Sequence, residues 1–196
     1  MSHGLLADIK FYAILLRIDA DLAEQARSPG FECGGRLDVA DYPRKPRGGP
    51  NDLDPAYAKR FSFCCAREGC RSRTTPPSVR FLGRRVYLAA IVVLVTAMRH
   101  GVTPQRANEL TALFGVSRRT LARWCQWWTE TFTTLPFWRA ARGRLRDEVD
   151  LARLPASLIE CFGVEIDAAV VARTLAFIAP VTTSSCVMEA RISMLD

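Results

Sequence analysis

Apolar side chains recur at helical spacing over the first 27 residues of the chain. The pattern ends at Ser28-Pro29-Gly30, a combination that stops a helix. Its apolar positions are Leu5, Leu6, Ile9, Tyr12, Ile14, Leu15, Leu16, Ile18 and Leu22. The periodicity predicts one or two helices in an N-terminal helical segment at residues 1–30.

The composition of the chain changes after the N-terminal helical segment. Residues 33–77 are rich in Gly, Pro, Arg and Asp, and they carry loop signals such as GGRL, YPRKPRGGP and TTPPS. Only short strands fit this composition, near residues 36–40 and 60–65. A segment with so few apolar residues needs an additional crosslink to fold stably, and its cysteines are the candidates to provide it.

Helical patterns return after residue 80, with a helix predicted over residues 81–98. Residues 86–98 form the most apolar run of the chain, but crossing a bilayer takes about 20 residues, so this run predicts a buried core helix. Thr103 and Pro104 begin a second helix that runs to Leu113, as N-cap and first helical residue. A third helix is predicted over residues 118–128, after a turn at residues 114–117.

The second and third of these helices have the pattern of a helix-turn-helix. Gly115 stands at the turn and Ser117 at the next N-cap, while the apolar positions suited to an internal core are Leu110, Phe114, Val116, Leu121 and Trp124. The positions left to face DNA are Ser117, Arg118, Arg119, Thr120, Arg123 and Gln126. Arg can read guanine and Gln can read adenine, whereas Ser and Thr more often contact phosphates. Short helix pairs with a glycine turn also occur in many other folds.

The four tryptophans allow two interpretations. Trp124, Trp127 and Trp128 could stack on bases, but packing is favoured, with Trp124 in the core and the other two against the segment that contains Trp138.

Charge changes this picture because it is concentrated in the middle of the chain. The formal net charge is +7, and residues 41–85 and 86–146 each carry +7, whereas residues 1–40 carry −2 and residues 147–196 carry −5. A basic surface attracts phosphate backbones, although a solvated basic face is the alternative. Further predicted phosphate contacts are Arg44, Lys45, Arg47, Arg71, Arg73, Arg84 and Arg85.

The cysteines predict a metal site. Their number, seven, is odd, and no signal peptide is evident, so we expect a cytoplasmic protein without a disulfide framework. Tetrahedral zinc takes close pairs of ligands held by tight turns. Cys65 and Cys70 form one such pair, while Cys33 is half of a second pair whose other position holds Gly30. We predict that Cys33, Cys65 and Cys70 bind zinc. The alternatives are that the cysteine-bearing turns keep their zinc-knuckle geometry without a metal, or that Cys64 and Cys65 are ordinary strand residues.

Three strings carry a resemblance: DYPRKPRGG at residues 41–49, RFSFCCAREGCR at 60–71 and TTPPSVRFLGRRVYL at 74–88. They resemble a family of short bacterial insertion-sequence-associated proteins, which are similar to the zinc-ribbon and helix-turn-helix N-terminal part of transposases. The resemblance spans roughly residues 5–160, and it implies that Cys33, Cys65 and Cys70 are ribbon cysteines and that residues 118–126 are the recognition helix. Family members usually begin the ribbon with Cys-Pro-x-Cys-Gly-Gly, whereas this chain begins it with Gly30.

Together these patterns predict a mainly α fold: a helix-turn-helix bundle with a small, strand-poor zinc-ribbon-like insertion. The N-terminal helical segment at residues 1–30 precedes a zinc-ribbon-like basic module at residues 31–79. A helix-turn-helix domain at residues 80–146 precedes an acidic C-terminal segment and tail at residues 147–196. Residues 131–145 are predicted to form a Pro-interrupted connector with a short basic helix, and residues 164–178 a further helix.

Three functions are compatible with this organisation. The leading hypothesis is a non-enzymatic DNA-binding protein of mobile-element type, which binds double-stranded DNA and can act with a transposase or another mobile-element protein. The second is a helical accessory subunit whose Trp-rich face binds a transposase without direct DNA recognition. The third, a truncated transposase with nuclease activity, is disfavoured because two-metal chemistry needs three carboxylates brought together, and only 50 residues follow Arg146.

Overall fold

The computed structural model describes residues 2–83, 86–101, 103–146 and 148–183, and it confirms a mainly α protein. The helices are α1 (Ser2–Ala7), α2 (Ile9–Arg27), α3 (Ala89–Gly101), α4 (Pro104–Leu113), α5 (Arg118–Gln126), α6 (Pro136–Ala141), α7 (Ala156–Glu160) and α8 (Ala168–Ile178). None of the helices in these ranges combines the length and apolar content needed to cross a bilayer.

Short antiparallel strands follow α2, as the glycine- and proline-rich composition predicts. Strands β1 (Leu37–Val39), β4 (Phe63–Cys65) and β5 (Arg73–Thr74) form one sheet with β4 in the middle, and β2 (Tyr42–Pro43) pairs with β3 (Lys59–Arg60). In the larger sheet Leu37 stands opposite Cys65, and Cys64 stands opposite both Asp38 and Arg73. This register brings the end of β4 next to the start of β1, which matters for the cysteines.

Helix α3 forms the centre of the main hydrophobic core. Every residue from Ala89 to Val95 is at most 2% exposed, and the helix contacts α1, α4, α5, α7 and α8. The prediction that this apolar run is a buried core helix is therefore confirmed for residues 89–97, whereas Val86 is exposed and precedes the helix. The cluster around α3 includes residues from all four predicted segments, so these segments share one hydrophobic core. The boundaries between them remain a prediction from the sequence.

Helix boundaries differ from the predicted ones at three places. Residues 81–83 and 86–88 are not helical, so the helix begins only at Ala89, since Gly83 has a left-handed backbone and Tyr87 bridges to Arg47. The helix predicted over residues 118–128 ends as an α-helix at Gln126 and continues as a π-helix at Trp127–Thr131. The helix predicted over residues 164–178 begins only at Ala168, because the Asp167 side chain accepts a hydrogen bond from the Val170 N–H.

Candidate metal centre and nucleic-acid interface

Three of the cysteines converge at the edge of the larger sheet. The Sγ atom of Cys33 lies 3.4 Å from Cys65 Sγ and 3.5 Å from Cys70 Sγ, and all three sulfurs lie within 4.8 Å of one another. Zinc–sulfur bonds of about 2.3 Å in a tetrahedron place sulfurs about 3.8 Å apart. The cluster therefore has the donor type and the spacing to bind a metal ion, and it consists of the three residues predicted from the sequence.

The backbone around the three sulfur atoms packs closely against them and donates a hydrogen bond to one of them. A Cβ on Gly35 would lie 2.3 Å from Cys65 Sγ, so only glycine fits there. Gly69 has a positive φ of 79° in the turn between Cys65 and Cys70. The Arg67 backbone N–H donates to Cys65 Sγ at 3.4 Å, a contact that favours thiolate at a metal knuckle.

Neighbouring groups shift the pKa values of two of these thiols in opposite directions. The Arg67 N–H lowers the pKa of the Cys65 thiol, but burial and hydrogen bonds with Cys33 and Cys70 outweigh it and raise the value to about 11. Hydrogen bonds with the side chain and backbone of Ser72 lower the pKa of Cys70 to about 7, with help from the other two thiols. The lowered pKa favours the thiolate form of Cys70 near neutral pH, and the raised pKa favours the protonated form of Cys65.

Cys64 does not belong to the cluster, because successive strand residues point to opposite faces of the sheet. Gly30, which occupies the expected position of a fourth ligand, has a left-handed φ of 69°. Among the described residues, the cysteine cluster is the one group of three or more side chains placed to share a metal ion.

Helices α4 and α5 are joined by a tight turn at the predicted position. Gly115 has a positive φ of 62°, and the Val116 N–H donates to Thr111 O at 2.8 Å. Ser117 caps α5, since its Oγ accepts from the Thr120 N–H at 3.1 Å. Val116 and Trp124 are buried and fix the helix to the core. Phe114 and Leu121 are half-buried against the same cluster, while the Leu110 side chain lies outside the described residues.

The opposite face of α5 is exposed and basic. Arg119, Arg123 and Gln126 follow one another at helical spacing, and Arg118 is exposed beside them. Four of the predicted contact residues already make side-chain hydrogen bonds within the protein: Ser117, Thr120, Arg123 and Gln126. The Ser117 and Thr120 hydroxyls lie 2.9 Å apart in the cap, and the Gln126 amide donates to Glu130 Oε2 at 2.8 Å.

Most of the tryptophans are in the core. Trp124, Trp128 and Trp138 are each at most 5% exposed, and Trp127 is half-buried. The centres of the Trp128 and Trp138 rings lie 4.9 and 5.0 Å from the centre of the Phe132 ring, so Phe132 links Trp128 to the segment that contains Trp138. Three of the four tryptophan rings therefore lie inside the core, where they cannot stack on bases.

Tyr87 connects the basic loop to the helix pair. Its hydroxyl donates to Gly115 O at 2.7 Å, and its ring meets the Trp124 ring edge-on at 5.1 Å. On its other side, the Arg47 N–H donates to Val86 O at 2.9 Å, and the Leu88 N–H donates to Arg47 O at 3.1 Å. Arg47 is thereby held beside the turn that precedes α5, although the two lie about 70 positions apart in the sequence.

The other predicted phosphate contacts are not equally available. Lys45, Arg71 and Arg73 are exposed, like Arg47, whereas Arg44 is half-buried. The Arg44 guanidinium donates to Gly83 O at 3.2 Å and lies 5.4 Å from the centre of the Phe81 ring. Arg84 and Arg85 lie outside the described residues.

Sequence reasoning missed a buried polar cluster. Arg80 and Asp19 are both 0% exposed, and their Nε and Oδ2 atoms lie 2.7 Å apart. Nothing in the local sequence distinguishes Arg80 from the surface arginines around it.

No protein-family model, no curated protein and no solved structure matched this chain. The resemblance to insertion-sequence-associated proteins therefore rests on the quoted strings alone.

Proposed function

We propose that this chain is a DNA-binding protein of mobile-element, transposase-associated type, in which α4 and α5 form a helix-turn-helix. The observation that carries the proposal is the exposed arginine face of α5, on a helix whose opposite face is buried. A recognition helix needs this division, since one side must pack firmly while the other enters the major groove. Arg118, Arg119 and Arg123 are the candidates for base and phosphate contact.

The basic loops of the cysteine module supply the sequence-independent part of this binding. Arg47 is exposed and is fixed through Tyr87 to the turn before α5, so it can contact the phosphate backbone next to the groove that α5 enters. Three further basic side chains of these loops are exposed and can also contact phosphates: Lys45, Arg71 and Arg73. Arg44 contributes less, because its guanidinium already donates to Gly83 O.

Zinc is the metal that best suits the cysteine cluster. Cys33, Cys65 and Cys70 would hold it, and three thiolates favour zinc over the harder cations that prefer oxygen. When bound, the ion crosslinks a module that has little apolar core of its own. The described cysteines form no disulfide, which suits the reducing conditions of the cytoplasm, the compartment proposed for this protein.

We propose no catalytic role for the acidic residues of the C-terminal segment. Asp150 and Asp167 cap helical turns by accepting backbone hydrogen bonds, and Glu160 pairs with Arg153. These carboxylates have structural partners and do not converge on a common point.

The test is duplex binding by the full chain across a salt series, after selection of a preferred sequence from a random pool. We expect affinity to fall steeply with salt, and Arg123→Ala to weaken binding to the preferred duplex by about 1–3 kcal/mol while binding to random duplex changes less. Arg173→Ala, which removes an exposed arginine of α8, is the matched control and should change neither. Absence of binding at low salt would refute the proposal, and equal losses on both duplexes would refute base reading by Arg123.

A further inference from the structure

A second basic surface lies outside the helix pair and outside the cysteine module. The sequence PFWRAARGRLR, at residues 136–146, contains four arginines and neither Asp nor Glu. All four are exposed: Arg139, Arg142, Arg144 and Arg146. We call this group the α6 basic surface.

The α6 basic surface is joined by buried contacts to the helical segment that continues α5. Trp138 and Ala141 are buried on the inner side of α6, and the Trp138 ring lies 5.0 Å from the Phe132 ring. Phe132 directly follows the π-helix into which α5 runs. From Arg118 to Thr131 the continuous helical segment measures about 20 Å at 1.5 Å per residue. The surface is therefore anchored beyond the C-terminal end of α5, whereas Arg118 and Arg119 stand at its N-terminal end.

The arginines of this surface are not neutralised by the described carboxylates. Ion pairs elsewhere join Arg153 to Glu160 and Arg36 to Asp38, but none of the described acidic side chains lies within 4.0 Å of the α6 basic surface. Several like charges within a few residues repel one another, and an external polyanion relieves that repulsion. A Cβ on Gly143, between Arg142 and Arg144, would meet nothing within 4 Å, so the backbone there is open to a ligand.

We infer that the α6 basic surface contacts the phosphodiester backbone of duplex DNA next to the groove that α5 enters. This inference rests on the proposed function and extends the DNA contact beyond the helix-turn-helix. Contacts to the backbone at both ends of a recognition helix set its register without reading bases. The surface therefore contributes affinity and salt dependence, and it contributes no sequence preference.

The experiment compares two double variants of the full chain on preferred and random duplexes across a salt series. Arg142→Ala/Arg144→Ala removes two charges from the surface, and Arg17→Ala/Arg173→Ala removes two exposed arginines from α2 and α8. We expect the first variant to flatten the slope of log affinity against log salt by about 2, at roughly 0.9 per lost phosphate contact. The ratio between the two duplexes should stay unchanged, and the control should keep the wild-type slope.

A charge-retaining variant separates phosphate contact from loss of folding. Arg142→Lys/Arg144→Lys should keep most of the slope, because a phosphate contact depends on the positive charge. If the alanine variant keeps the slope of the control, or if the lysine variant loses as much as the alanine variant, the inference is wrong. Wild-type protein that shows no salt-dependent binding would instead refute the proposed function, which is a distinct outcome.

Discussion

Asp19 and Arg80 show how single residues hold this fold together. Asp19 Oδ2 accepts from Arg80 Nε at 2.7 Å and from Ser78 Oγ at 2.6 Å, and Oδ1 accepts from the Val79 N–H at 2.6 Å. The Arg80 guanidinium donates to Ala56 O at 2.9 Å as well. A buried ion pair is tolerated only when such additional bonds satisfy both partners. Through this pair, α2 is tied to the segment that links the cysteine module to α3.

At the residue scale we predict that Asp19→Asn strongly destabilises the protein. The variant leaves the Arg80 charge buried without its counter-charge, so the free energy of unfolding should fall by about 3–5 kcal/mol in chemical denaturation. Glu160→Gln is the control, because its pair with Arg153 is about half exposed and should contribute less than about 1 kcal/mol. A similar loss of unfolding free energy in the two variants would contradict the claim that the buried Asp19–Arg80 pair matters more than the exposed one.

At the scale of elements, the start of α5 is positioned by one local contact and by one contact from a distant part of the chain. Ser117, which directly precedes α5, caps the helix. Tyr87 contacts the turn through a hydrogen bond to Gly115 O and through the Trp124 ring. The orientation of the basic face of α5 thus depends on an extended segment that precedes α3. A helix-turn-helix pattern read from residues 104–128 alone does not contain this contact.

We predict a graded effect of substitutions at Tyr87. Tyr87→Phe removes one hydrogen bond at a partly exposed site and should lower the free energy of unfolding by about 1 kcal/mol. Tyr87→Ala also removes the ring contact with Trp124 and should cost at least twice as much. Denaturant titration measures both, and equal losses in the two variants would show that the ring contact with Trp124 adds nothing.

At the scale of the whole molecule, the apolar core is divided unequally. The main cluster surrounds α3, whereas a small cluster of Ala23, Leu37 and Phe63 lies beneath the larger sheet. Three buried residues give the sheet little apolar stabilisation, so we expect a metal ion on the cysteine cluster to be a second source of stability there. Metal binding should therefore stabilise the module locally and leave the helical core largely unaffected.

We predict that Cys70→Ser loosens the sheet without unfolding the helices. In the metal-loaded protein the variant should raise amide hydrogen exchange in β1, β4 and β5, while α3 and α8 keep their protection. Cys64→Ser is the matched control, since Cys64 is a neighbouring strand cysteine outside the cluster. Loss of protection in α3 as well would mean that the module and the helical core unfold as one unit.

Local patterns predicted several parts of this molecule correctly. The cap and turn signals at Thr103-Pro104 and Gly115 correspond to the start of α4 and to a left-handed turn, and the apolar run of α3 is buried. The pair spacing of Cys65 and Cys70, with Cys33 upstream, singled out the cysteines that converge. Each of these features depends on neighbours in the sequence, or on a residue type with one dominant preference, so the chain itself carries the information.

Other features were decided only by tertiary structure. Arg44 and Arg80 look in the sequence like other arginines of a basic segment, but one lies over the Phe81 ring and the other is fully buried against Asp19. Tyr87 and Leu88 are extended instead of helical because Tyr87 pairs with Arg47, about 40 positions away in the sequence. Composition and periodicity thus determined a mainly α chain with a basic middle and a cysteine cluster. Which arginines remain exposed was decided by packing, since burial depends on partners that are distant in the chain.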